Sequence, residues 1–170
     1  GFFNAVCQVY TTIIRGTPMM VQLMIFAFIV FASASMDAMI YVAIIAFGIN
    51  SGAYVAEIVR AGIMAVGKGQ SEAGRSLGLT KNMTMRLIVL PQAVKNILPA
   101  LANEAIVLLK ETAIVGYIAI GDITYMASLI RTRTYSPVPL LVIALVYLLI
   151  VMLMTYGMRK LERRLARSER

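Results

Sequence analysis

The stretch TYSPVPLLVIALVYLLIVMLMTYGM, residues 134–158, carries no charged side chain. It is longer than the roughly 20 residues an α-helix needs to cross a hydrocarbon core about 30 Å thick. Two further runs, 18–36 and 38–56, stay apolar for nearly as long apart from Asp37 between them, and a fourth, 97–121, is broken by Glu104, Lys110 and Glu111. Hydrophobic residues make up 60% of the chain and charged residues 14%, against about 25% charged in an ordinary soluble domain. In lipid the backbone must satisfy its own polar groups, which leaves helices or closed barrels, and none of these runs alternates as barrel strands do. The expected fold is all-α: a polytopic transmembrane helix bundle of about four spans, at 18–36, 38–60, 97–121 and 136–158. A soluble α-protein is disfavoured because no amphipathic helices remain to cover such a core. The chain begins with Gly1, and a preceding segment, including a further span, is expected.

Charge orients the bundle. Arg15, Arg60, Lys68, Arg75, Lys81, Arg86 and Lys95 fall on one side of the expected spans, as do Arg159, Lys160, Arg163, Arg164, Arg167 and Arg170. Only Arg131 and Arg133, in an expected loop before Pro137, lie opposite. The positive-inside rule therefore puts the 61–96 loop and the basic tail, 159–170, in the cytoplasm. There the tail meets anionic lipid headgroups. A net charge of +8 is thus a topology signal first, and no nucleic-acid partner is expected.

The inventory removes much chemistry. With no histidine and one cysteine, Cys7, the chain cannot build histidine metal sites, internal disulfides or Ser-His and Cys-His dyads. Ser51 in GINSG (48–52) thus has no catalytic partner of that kind, and Gly48 and Gly52, four apart, are expected to permit close helix packing. GIMAVGKG (62–69) matches the spacing of a phosphate-binding loop, but Gly69 stands where a Ser or Thr should bind Mg²⁺ and no strand leads in. Any ATP is expected on another chain.

Ionisable groups inside the spans are more informative, because charge at that depth faces a bundle interior or a wet cavity. With a span starting near Pro99, Lys110 and Glu111 lie about 16–18 Å into it. Glu104 and Glu111 are seven residues apart and so nearly share a face, as do Asn103 with Lys110 and Asn50 with Glu57. Asn50, Asn103, Glu104, Lys110 and Glu111 are the candidates for a solute path. The alternative is a set of structural ion pairs that hold helix register. Glu57 is the weaker candidate, since it can pair with Arg60 at i,i+3.

Residues 71–91, SEAGRSLGLTKNMTMRLIVLP, form a polar island that reads as helix, turn and helix. Ser71 is a candidate N-cap with Glu72 in the first turn, Gly78 a left-handed stop, Thr80 a second N-cap, and Pro91 an interruption of the second helix. A plain connection would not need a helical hairpin of this length.

At these residues the chain resembles the membrane-spanning permease subunits of ATP-binding-cassette importers. Their signature, Glu-Ala-Ala, three residues, Gly, nine residues, Ile-x-Leu-Pro, is met by Glu72, Ala73, Gly78, Ile88, Leu90 and Pro91, with Gly74 replacing the second Ala. RGTPMMVQL (15–23), GAYVAEIVRAGI (52–63), GQSEAGRSLGL (69–79), LPQA (90–93) and LLKETA (108–113) are similar to the polar amino-acid, histidine/glutamine/arginine, group. Where that group tends to have Lys-Asp-Thr-Ser, this chain has Lys110, Glu111, Thr112 and Ala113.

The resemblance implies a five-span permease whose last four spans are present, working with a second permease subunit, identical or not. It also implies cytoplasmic ATPase subunits that bind ATP and Mg²⁺, an extracytoplasmic amino-acid-binding protein, and a bacterial inner-membrane location. The chain itself is expected to hold no cofactor and to be no enzyme. Glu72, Ala73, Gly74, Arg75, Leu77, Gly78 and Leu79 become the expected ATPase-docking face of a cytoplasmic coupling hairpin. The rival reading is an ion-coupled carrier or channel that uses the buried Glu and Lys residues.

Overall fold

A computed structural model describes residues 1–167 of the chain, and all regular structure among them is helical. The elements are α1 (Phe2–Arg15), α2 (Met19–Ile25), α3 (Met39–Met64), α4 (Lys68–Ser76), α5 (Lys81–Thr84), α6 (Leu90–Glu111), α7 (Ile123–Thr134) and α8 (Val138–Arg167). The expected basic tail is described only as far as Arg167; Ser168, Glu169 and Arg170 lie outside the described residues.

Two of the expected spans are single helices. Met36–Met64, which contains α3, and Val138–Lys160 of α8 are each long and apolar enough to cross a membrane. The other two are bent pairs, so the count reaches four only if each pair makes one span. The 18–36 run is a correction. Its helix stops at Val30, because α2 widens into a π-turn over Phe26–Val30 and the small, serine-rich residues after Phe31 carry no helix. At about 1.5 Å per residue, Met19–Val30 alone is too short to span. It is preceded by α1, set at 103° to it.

Beyond 96 the expectation is corrected at both ends. One helical run, Lys81–Ile118, passes from the polar island through Pro91 and Pro99. Pro91 does not interrupt it: the π-turn Met85–Val89 opens the helix just ahead, where the proline supplies no N–H and its ring needs room. The run closes as a 3₁₀ turn, Thr112–Ile118, and breaks at Ala119, which takes a left-handed φ of 62°. Arg131 and Arg133 then sit on helix α7 rather than in a loop, at 53° to the preceding run. Asp122 starts that helix by accepting the Thr124 and Tyr125 backbone N–H groups at 3.1 and 2.9 Å.

Small residues let α2 and α3 approach. Leu23 and Ala27 of the α2 segment are fully buried against Met39, Ala43 and Ala46, with Val115 and Ile118 closing the cluster. Further along α3, Gly62 lies against Ile97, where a β-carbon would overlap the Ile97 side chain. By contrast, no residue in the apolar window of α8 is buried, and Leu141, Leu145, Leu149 and Leu153 form an exposed row at helical spacing. That row suits lipid, which is as apolar as the side chains themselves.

Candidate functional site

The polar island folds as the expected hairpin, with a different start. Gly67 caps α4, which begins at Lys68, so Ser71 is an internal residue and Glu72 lies beyond the first turn. The helix ends in a Schellman closure. Gly78, at φ +86°, bonds its N–H to the Arg75 carbonyl at 3.0 Å, and Leu79 bonds back to Gly74 at 3.2 Å. Thr80 then caps α5, its Oγ1 accepting the Met83 N–H at 3.3 Å.

Gly74 is the contact point between the two arms. It is buried, and a β-carbon there would stand 2.7 Å from Ile88 Cδ1 and 2.9 Å from Thr84 Cγ2. Glycine, standing where the signature has alanine, fits this contact without displacing either side chain. Glu72, Ala73, Arg75, Leu77 and Gly78 are exposed, Leu79 is half-buried, and Leu77 at the tip leaves 82% of its surface open. Gly74 consequently belongs to the inner contact, not to the outward face.

The solute-path candidates separate. Asn103 and Lys110 are exposed on α6, and Glu104 and Glu111 are half-buried. Among the described residues none of the four takes part in a side-chain hydrogen bond or an ion pair, which leaves the structural-pair alternative without support. Asn50 is elsewhere: 2% exposed on α3, it donates from Nδ2 to Gln22 Oε1 at 3.0 Å. Glu57 pairs with Arg60 as expected and also with Arg15 at 3.8 Å.

An open cleft of about 880 Å³ lies between α3, α6, α7 and α8. Ile44, Phe47, Leu108 and Val115 make apolar walls, and Ser51, Thr112, Asp122 and Tyr147 contribute polar atoms. Gly48 and Gly52 line it too. Gly48 has nothing within 4 Å of its would-be β-carbon and so provides space rather than packing, while Gly52 faces the Tyr10 hydroxyl at 3.1 Å. The 62–69 stretch is the end of α3, a turn and the start of α4, with no phosphate-loop architecture.

The family model for "binding-protein-dependent transport system inner membrane component" matches residues 1–167. The chain belongs to this family. As such an inner membrane component it is the membrane-spanning transport subunit, not an enzyme. It is 40% identical over 170 residues to the arginine transport system permease protein ArtQ of Bacillus subtilis, covering 98% of this chain and 77% of that one. A putative glutamine transport system permease protein GlnP of Rickettsia bellii is 43% identical over 161 residues, covering 92% and 72%. Among solved structures, that of an amino acid ABC transporter with histidines superposes with a TM-score of 0.86 at 45% identity, covering 94% of this chain and 75% of that chain. The inward-facing MetNI methionine ABC transporter, at 21% identity and a TM-score of 0.76, shares the fold.

Within this inner membrane component the sequence reading gathered Asn103, Glu104, Lys110 and Glu111 correctly onto one helix. It missed Asp122, Thr112 and Tyr147 beside the cleft. Asp122 had a usable signal, an acidic residue directly after Gly121 and before a helix, but it was hidden inside an expected loop. Tyr147 had none, because one tyrosine in an apolar span does not announce which way it faces.

Proposed function

We propose that this chain is the permease subunit of an ATP-driven importer of a polar amino acid, with α4 and its closing turn as the element that docks a separate cytoplasmic ATPase. The observation that carries the reading is the hairpin itself. It is a rigid helix stop with an exposed leucine at its tip, joined to α3 by residues 65–67 and to α6 through an unbroken helical run. Leu77, open to 82% at the tip beside exposed polar residues, gives that hairpin a face that a partner's groove can receive. Glu72, Ala73, Arg75, Leu77, Gly78 and Leu79 form that face, and Gly74 keeps it rigid from behind.

The hairpin and the C-terminal tail are read as cytoplasmic from the concentration of Lys and Arg there. Asn103, Glu104, Lys110 and Glu111 are read as the solute path, since charges of both signs without ion-pair partners among the described residues suit a zwitterion. Asn50, buried on α3 and bonded to Gln22, is set apart from these four. ATP and Mg²⁺ belong to the ATPase, and the amino acid is delivered by an extracytoplasmic binding protein. A second permease subunit completes the path. Arginine and glutamine, the solutes named for the relatives, are the first to test. Reconstitution with the ATPase and binding protein, scored as ATP hydrolysis stimulated by each amino acid in turn, tests the reading. An amino acid that raises hydrolysis and is taken up supports it, and hydrolysis indifferent to every amino acid overturns it.

A further inference from the structure

Two motifs that the hairpin does not use, RGTPMMVQL at 15–23 and GAYVAEIVRAGI at 52–63, meet at the elbow between α1 and α2. Gln22 is 5% exposed, and its amide serves three elements at once. Nε2 donates to the Ile14 carbonyl at 2.7 Å, and to Thr17 through its carbonyl at 3.0 Å and its Oγ1 at 2.6 Å. The Ile14 carbonyl belongs to the last turn of α1, where carbonyls lack helical partners, so Gln22 caps α1 from α2. Its oxygen faces the other way and accepts from Asn50 of α3 at 3.0 Å. On the α1 arm, Arg15 reaches Glu57 at 3.8 Å and covers the Tyr54 ring at 5.4 Å from its centroid, while Tyr10 donates to the Ile49 carbonyl at 2.6 Å.

Asn50 and Glu57 are two turns apart on one face of α3. Both arms of the elbow are therefore gripped by the same face, one on each side of the turn at residues 16–18. We propose that Gln22 is a positioning residue for transport: with Asn50 it locks the α1–α2 elbow to α3, so that the three helices move as one body. The proposal rests on the reading of α4 as the docking element, because α3 passes into α4 across residues 65–67 alone. A displacement of α4 moves the end of α3. Without the lock, the α2 segment is held to α3 only by the non-directional apolar packing of Leu23 and Ala27, which fixes no register, and part of the motion is lost at the elbow. In apolar surroundings no water replaces the broken amide contact, so the lock is either closed or open.

The test uses the complete transporter, permease with ATPase and binding protein, in proteoliposomes. Gln22→Met and Asn50→Leu keep side-chain volume and remove the amides singly, and the Gln22→Met/Asn50→Leu double variant removes both. The readout is solute imported per ATP hydrolysed, alongside the yield of assembled complex. We expect each single variant to lower that ratio about fivefold, the lower end of ordinary coupling effects, with the double no worse than the poorer single. A purely structural role lowers the yield and leaves the ratio at the wild-type value, and that result overturns the proposal. So does a double variant in which the two losses simply multiply. Failure of the docking reading is separately visible: the wild-type complex then shows no amino-acid-stimulated hydrolysis at all.

Discussion

Gly74 and Thr84 lie so close that a β-carbon on the glycine would stand 2.9 Å from the Thr84 methyl, with Ile88 Cδ1 at 2.7 Å on the other side. The two arms of the hairpin thus approach so closely that any residue larger than glycine must displace the Ile88 or Thr84 side chain. Gly74→Ala is expected to destabilise the hairpin by about 1 kcal/mol, and Ile88→Val in the same chain to recover part of that loss by removing the nearer methyl while the Thr84 methyl stays. Thermal unfolding of the purified protein, compared among the two single variants and the pair, checks this. An alanine that costs nothing by itself would contradict the close contact.

Gly78 holds its left-handed φ with open space around it, so strain rather than a clash decides its substitutions. Gly78→Ala should cost about 1–2 kcal/mol and Gly78→Asn less, since asparagine tolerates this region. Gly78→Pro also deletes the N–H that closes on Arg75 and should uncouple transport from ATP hydrolysis with the bundle still folded. Measuring ATPase recruitment and uptake on the same preparation separates the two effects. Normal recruitment with unchanged uptake would remove Gly78 from the docking face.

Charge reversal at Glu72 offers a second probe of that face. The side chain is exposed and, among the described residues, has no ion-pair partner in the chain. Glu72→Arg should leave the unfolding midpoint nearly unchanged, within the roughly 0.5 kcal/mol typical of surface changes, yet reduce ATPase co-purification severalfold.

The four α6 candidates can be tested against the cleft. Neutral replacements at Glu104, Lys110 and Glu111 should reduce uptake or solute affinity by at least about tenfold with little change in stability, because among the described residues none of the three makes a side-chain hydrogen bond or ion pair. Uptake at the wild-type level would move the path to the cleft lined by Ser51, Thr112, Asp122 and Tyr147.

Two glycines of α3 should behave in opposite ways. Gly48→Ala meets nothing within 4 Å and replaces a flexible helical residue, so it should be neutral or stabilise by about 0.5–1 kcal/mol. Gly62→Ala drives a methyl into Ile97 and should cost about 1–3 kcal/mol. The comparison is read from unfolding midpoints in one detergent.

The spans were legible where composition alone decides them. α3 and α8 contain the long apolar windows, and the 38–60 and 136–158 expectations overlap them, starting one and two residues before the respective helices. The bent pairs were not legible. A hydropathy run marks which residues avoid water, not whether their helix turns, and it passed over the π-turn at Phe26–Val30 and the break at Ala119 alike. Pro91 misled for a related reason: its cost depends on whether the preceding turn widens, which no local pattern announces.

Side-chain partners divide along the same line. Gly78, Thr80 and the Glu57–Arg60 pair were readable because cap and i,i+3 geometry involve near neighbours in the chain. Family, membrane character and the position of the hairpin likewise came from order and spacing along the chain. Tertiary structure alone decided that Asn50 grips Gln22, 28 residues away, that Gly74 faces inward and that Glu104 and Glu111 lack partners among the described residues. Helix periodicity assigns a residue to a face, but what that face meets depends on how separate helices pack. That packing is set by shape and polar satisfaction summed over elements distant in sequence.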